Sequence, residues 1–202
     1  MGCAVKITAL KTQVKNADRV SVFVDNAYSF SLTLDQVLET GIKKDDELNE
    51  SDVKQYQKMS DEGKLKSRMH EWLMGRLHSQ KELRDYLYKK KVDKDLIDQW
   101  VSEAVEKGYV NDTEFARWFA EGRRRKNKSN REISAELAAK GIDRSVVQSV
   151  VEDLEDDEED ALQNLIAKLQ NRTRYQDEKK LISYLMGKGY RYSDIKDALN
   201  DD

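Results

Sequence analysis

Six cations, Arg123, Arg124, Arg125, Lys126, Lys128 and Arg131, follow one another in the stretch RRRKNKSNR with no acid between them. Side chains of this type and spacing suit a polyanion. Each one that neutralises a phosphate releases counterions, so contact with five or six phosphates of a DNA backbone predicts a log–log salt slope of roughly −5. Cations also favour the C-terminal end of a helix, which accounts for two or three of the six but not for all of them. Lys89 and Lys90, within YKKK (Tyr88 to Lys91), form a second, weaker basic candidate.

Other chemistry has less support. His70 and His78 are the only histidines, and their spacing of eight fits no compact metal motif. They read as surface or boundary residues. GKGY (residues 187–190) lacks the spacing and the Ser or Thr of a phosphate-binding loop and reads as a helix C-cap. No cofactor or metal is expected, and no enzyme activity. The acidic run EDLEDDEED (residues 152–160) reads as solvated or disordered chain before a helix start, with docking onto a basic partner as the other reading. Tyr86, Tyr88, Trp100, Tyr109, Trp118 and Phe119 have the type for base stacking. Trp100 aligns with Val150 in the repeat described below and Phe119 lies on an apolar stripe, so core packing suits those two better.

These residues need elements to position them. The chain has 202 residues, 37% charged and 38% hydrophobic, with no proline. Proline disrupts helix interiors, so its absence fits a mainly α protein. The net charge of −3 says nothing about local patches. A single cysteine, Cys3, permits no internal disulfide. No stretch approaches the roughly 20 apolar residues of a membrane span. The MGCAVK start has neither an apolar signal core nor the Ser or Thr of a myristoylation signal. A cytoplasmic monomer is expected.

Residues 1–58 read as a small β-rich module. Val20, Val22 and Val24 share one strand face, as do Tyr28, Phe30 and Leu32, with a turn at Asp25-Asn26-Ala27. A short helix ending at Gly41 would cover the apolar face of three strands. From Asp61 the period becomes helical, with Leu65, Met69, Trp72, Leu73 and Leu77 on one face.

The remainder repeats. SQKELRDYLYKKKVD (Ser79 to Asp93) aligns without gaps on SNREISAELAAKGID (Ser129 to Asp143), and a third copy starts at Asp177, at spacings of 50 and 48 residues. Ser79 and Ser129 read as N-caps, each with a Glu three residues later to complete a capping box. Gly141 and Gly189 stand where the first helix of the second and third copies ends in a left-handed residue; Lys91 stands there in the first. A second helix follows each first helix, and in the first two copies a third helix carries Phe115, Trp118 and Phe119, or Leu162, Leu165, Ile166 and Leu169. The repeat domains are placed at residues 59–126, 127–174 and 175–202.

GRLHSQKELRDYL, EKGYVNDTEFARWF, SNREISAELAAKGID and LISYLMGKGYRYSDIKDAL together resemble the RecX family of recombination regulators, over roughly residues 65–200. The β-rich start also resembles an N-terminal extension found in some members. The resemblance implies tandem three-helix repeats in an elongated, curved array. It implies binding in the groove of the filament that RecA recombinase forms on single-stranded DNA, and modulation, usually inhibition, of its ATPase and strand exchange. Lys91 and the acidic run depart from the family pattern. A DNA-binding helical module without a recombinase partner, or a protein–protein scaffold docked through the acidic run, are the competing readings.

Overall fold

A computed structural model describes residues 4–14, 16–154 and 156–200. Cys3 and the Met1-Gly2 start lie outside the described residues, as does Glu155 of the acidic run. The chain divides into two compact units, Met1–Trp72 and Leu73–Asp202.

In the first unit, β1 (Val5–Thr12), β2 (Arg19–Val24), β3 (Ala27–Thr33) and a short β4 (Glu47–Leu48) form an antiparallel sheet in the order β3-β2-β1-β4. Asp25 and Asn26 adopt φ of 49° and 67°, the left-handed pair that a tight hairpin needs to match strand twist. Val20, Val22, Val24, Phe30 and Leu32 are buried, as their alternation requires. Tyr28 is not. A register shift between Val22 and Phe23 turns it out of the core, to pack edge-on against Phe23 at 6.1 Å. The helix ending at Gly41, α1 (Leu34–Thr40), is present but buries no residue of its own. The sheet is instead covered largely by Val53, Tyr56 and Met59 of α2 (Glu50–Leu73), with Val37 of α1 beside them. The expected boundary at residue 58 falls inside α2, and Leu77 lies beyond its end, 37% exposed.

The second unit is helical throughout: α3 (Gln80–Lys89), α4 (Lys94–Glu106), α5 (Asp112–Arg124), α6 (Asn130–Ala139), α7 (Arg144–Glu152), α8 (Asp156–Gln170), α9 (Glu178–Gly187) and α10 (Tyr192–Asn200). The repeat is real at the level of hydrogen bonds. Lys91, Gly141 and Gly189 all have positive φ, at 59°, 79° and 92°. In each copy the next amide, of Val92, Ile142 or Tyr190, donates back to Leu87, Leu137 or Leu185. That pairing is the Schellman closure, which satisfies carbonyls the ending helix leaves open.

The helices group by their buried stripes. Phe115, Ala116 and Ala120 of α5 pack with Ile133 and Leu137 of α6 and Val147 and Val150 of α7. Leu162, Ile166 and Leu169 of α8 pack in the same way with α9 and α10. The helix expected as the third of one copy therefore packs as the first of the next. A helix buries its apolar face where the complementary face is, and sequence order does not specify which neighbour provides it.

Candidate nucleic-acid interface

The basic stretch begins in the last turn of α5 and ends in the first turn of α6. Its connector is held in one shape. Arg124 is only 7% exposed and its guanidinium points inward. It donates to the Lys128 carbonyl at 2.7 Å, to the Leu154 carbonyl at 3.1 Å and to the Asn130 side chain. Tyr190 braces the same connector by donating its hydroxyl to the Asn127 carbonyl at 3.1 Å. Burial, opposed by nearby Arg124 and reinforced by Glu158 and Glu132, pushes that phenol up to about 12, so it remains a donor at neutral pH.

The six cations therefore separate. Arg124 is a structural staple and leaves the set of DNA-facing candidates, because its two terminal nitrogens serve backbone carbonyls and Asn130. Arg123 lies over the Phe119 ring at 4.4 Å and donates to Glu136 at 2.5 Å. Lys128 pairs with Glu132 at 3.2 Å and approaches Glu136 at 4.0 Å. Arg125, Lys126 and Arg131 are exposed, Arg125 with a long ion pair to Glu121 at 3.8 Å. Lys89 and Lys90, at the end of α3, are exposed too, with Lys90 5.7 Å from the Tyr86 ring.

Two cations absent from the candidate set join this corner. Arg76 and Lys140, with Arg123, Arg125 and Lys126, line a groove of about 620 Å³ whose other walls include Trp118, Phe119 and Glu82. Lys140 occupies the repeat position of Lys90, which is the signal that could have flagged it. Nothing in the sequence points to Arg76.

Glu82 organises one wall. Its carboxylate accepts from Arg76 at 2.8 Å and from Lys140 at 2.6 Å, and His78 Nδ1 lies 3.1 Å away. Burial pushes this carboxyl up, but the hydrogen bonds from Arg76 and Lys140, the Arg76 charge and the His78 contact outweigh it and hold it at about 2. His78 is 3% exposed, buried more deeply than the surface or boundary position expected.

The expected capping boxes are half made. Ser79 and Ser129 accept the amides of Glu82 and Glu132 at 3.1 and 3.2 Å, but the glutamate side chains turn to cations. The caps have a second task instead. Ser79 donates to the Lys140 carbonyl and Ser129 to the Lys188 carbonyl, each reaching the end of the first helix of the following copy. The first amide of α3 donates to Asp112 at 2.8 Å, and the first amide of α6 to Glu158 at 2.7 Å. Glu158 belongs to the acidic run, which is largely helical rather than disordered, and this part of it is structural.

Among the described residues no group of three or more His, Cys, Asp or Glu side chains could hold a metal ion, and no helix is long and apolar enough to cross a membrane.

Comparison with known proteins places this architecture. Residues 5–49 match the model of the regulatory protein RecX N-terminal domain, and residues 111–151 match that of the second three-helix domain of RecX. The latter range is the α5-α6-α7 group. The chain is 31% identical over 201 residues to the regulatory protein RecX of Bacillus pumilus, covering 96% of this chain and 76% of the relative. It is 35% identical over 136 residues to that of Bacillus velezensis, covering 67% of this chain and 52% of the relative. With several of these curated relatives the match spans about half their length. A crystal structure of a regulatory protein RecX superposes with a TM-score of 0.75 over 96% of this chain and 99% of the other, at 20% identity. RecX from Lactobacillus salivarius gives 0.60 over 67% and 92%, also at 20% identity.

Proposed function

Because the chain belongs to the RecX family of regulatory proteins, we propose that it regulates recombination by binding the filament that RecA forms on single-stranded DNA and slowing its ATPase and strand exchange. Family membership supports the regulatory role. The observation that carries the contact is the corner between α5 and α6, where Arg125 and Lys126 line one groove with Arg76 and Lys140 and Arg131 stands exposed on α6. The braced connector presents these charges in a fixed arrangement, which lowers the entropy lost on binding. Tandem units suit a repeating partner, since linked weak contacts act at high effective concentration.

The test measures single-stranded-DNA-dependent ATP hydrolysis and strand exchange by RecA with substoichiometric protein. Wild type lowers both, and a variant carrying Arg125→Glu, Lys126→Glu and Arg131→Glu does so only weakly. Wild type without effect at any concentration, while still binding free DNA, overturns this reading in favour of a DNA-binding module with no recombinase partner.

A further inference from the structure

We infer that the groove beside Trp118 is a subsite for one unpaired nucleotide of a single strand, with the base laid on the indole and the phosphate held by Arg125 and Lys126. This rests on the DNA contact proposed above and adds the base to it.

The argument starts from the indole. Trp118 is 41% exposed although its helix neighbours Phe115 and Ala116 are fully buried. Phe115 anchors it from within, at 5.9 Å between ring centroids. The remaining surface borders the groove, where burying it would be favourable. The Arg76 guanidinium lies over the ring, 5.9 Å from its centroid. That is close to the outer limit of about 6 Å for a cation–π contact, so little attraction is lost if a closer ligand takes the ring face while Arg76 keeps its bond to Glu82. A guanidinium is itself a stacking partner for bases.

The charges fit the same ligand. Arg76 and Lys140 are engaged by Glu82, whose carboxylate stays ionised at neutral pH. Arg123 is engaged by Glu136. Among the described residues Arg125 has only the 3.8 Å contact to Glu121, and Lys126 is exposed with no ion pair. Two cations are therefore open to a phosphate beside a flat apolar surface. The groove, at about 620 Å³, lies within the range of about 300–1,000 Å³ usual for small-ligand sites. A duplex keeps its base faces stacked and cannot offer one to the indole. A peptide of acidic residues alone could use the cations but has no flat apolar face to lay on the indole. A single strand satisfies both walls.

The experiment uses the full chain and two labelled strands of equal length, oligo-dT and an abasic deoxyribose-phosphate polymer. Binding is read by fluorescence anisotropy. Wild type prefers oligo-dT by about tenfold, the scale of one base–aromatic stack. Trp118→Leu loses that preference while binding the abasic strand as wild type does. Lys126→Ala weakens both strands alike. As a readout that needs no destabilising change, oligo-dT quenches wild-type indole emission more than the abasic strand does, and the difference disappears in Trp118→Phe. A wild type that binds both strands equally, or a Trp118→Leu variant with the full preference, overturns the subsite and leaves the groove to acidic ligands. The two readings fail separately. Base preference without any effect on the RecA ATPase keeps the subsite and removes the regulator; inhibition without base preference does the reverse.

Discussion

The Ser79 hydroxyl accepts the Glu82 amide inside its own helix and donates at 2.9 Å to the carbonyl of Lys140, 61 positions away. Ser129 and Lys188 repeat the arrangement at 2.6 Å. One side chain thus starts a helix and fastens it to the end of the corresponding helix in the next copy. Both serines are fully buried, so neither bond competes with water.

Replacing Ser129 by Ala removes both functions at once. The lost cap costs about 1 kcal/mol, and the Lys188 carbonyl left without its donor costs about 1 more. Asp177 caps α9 through the amides of Lys179 and Lys180, so Asp177→Ala forfeits the cap alone, about 1 kcal/mol. Urea denaturation of the two variants compares them directly, and equal losses would show that the joint contributes nothing.

The three helix ends predict opposite responses to substitution. At Lys91, φ of 59° places a side chain in the left-handed region, and Lys91→Gly should stabilise by about 1 kcal/mol and raise Tm. At Gly141 a Cβ would lie 2.8 Å from Lys81 Cβ, and at Gly189 2.7 Å from Ser129 Oγ. Gly141→Ala therefore costs more than left-handed strain alone, about 2 kcal/mol or above. Gly108, at φ of 72° with nothing within 4 Å of a Cβ, is the control: Gly108→Ala costs about 1 kcal/mol. Thermal melts in which Gly141→Ala and Gly108→Ala shift Tm equally would remove the packing part of the explanation.

Neighbouring arginine and lysine should separate stability from binding. Arg124→Ala leaves the Lys128 and Leu154 carbonyls without their donor and costs about 3 kcal/mol. Lys126→Glu leaves stability within about 0.5 kcal/mol but weakens single-strand binding. With three to five cations available rather than six, the log–log salt slope should be about −2 to −3.5 at roughly −0.7 per phosphate of a single strand. A slope of about −4 or steeper would return Arg123, Arg124 and Lys128 to the DNA face.

Acid should loosen the joint between the first two copies. Glu82 is held at about 2, below its ordinary 4.5, so its contribution is fully present above pH 4.5 and is lost as pH falls toward 2. The side chain is 14% exposed, and the loss is on the order of 2 kcal/mol. The stability gap between wild type and Glu82→Gln should narrow from pH 6 to pH 3. A constant gap between them would show that this carboxylate does not titrate in that window.

Much of this was legible in the sequence. Caps, left-handed helix ends and apolar periodicity are local properties: a serine before a helix, a glycine after it and a leucine every third or fourth residue act within one or two turns. Lys91 was identifiable as strained because alignment with Gly141 and Gly189 transfers a backbone angle, and the angle depends only on neighbouring residues. The basic stretch was visible for the same reason, as six charges in nine residues.

What charge and period do not encode is direction. Six adjacent cations look equivalent in sequence, yet Arg124 turns inward because the Leu154 carbonyl, 30 positions away, needs a donor. Glu82 reads as half of a capping box, yet Lys140, 58 positions on, claims it. α5 follows α4 in order but buries its stripe with α6 and α7. The chain's local preferences determined where helices begin and end and that they repeat. Tertiary structure alone decided which polar groups faced one another across 30 to 61 residues, because desolvation obliges each buried donor and acceptor to take whichever partner the packing brings within reach.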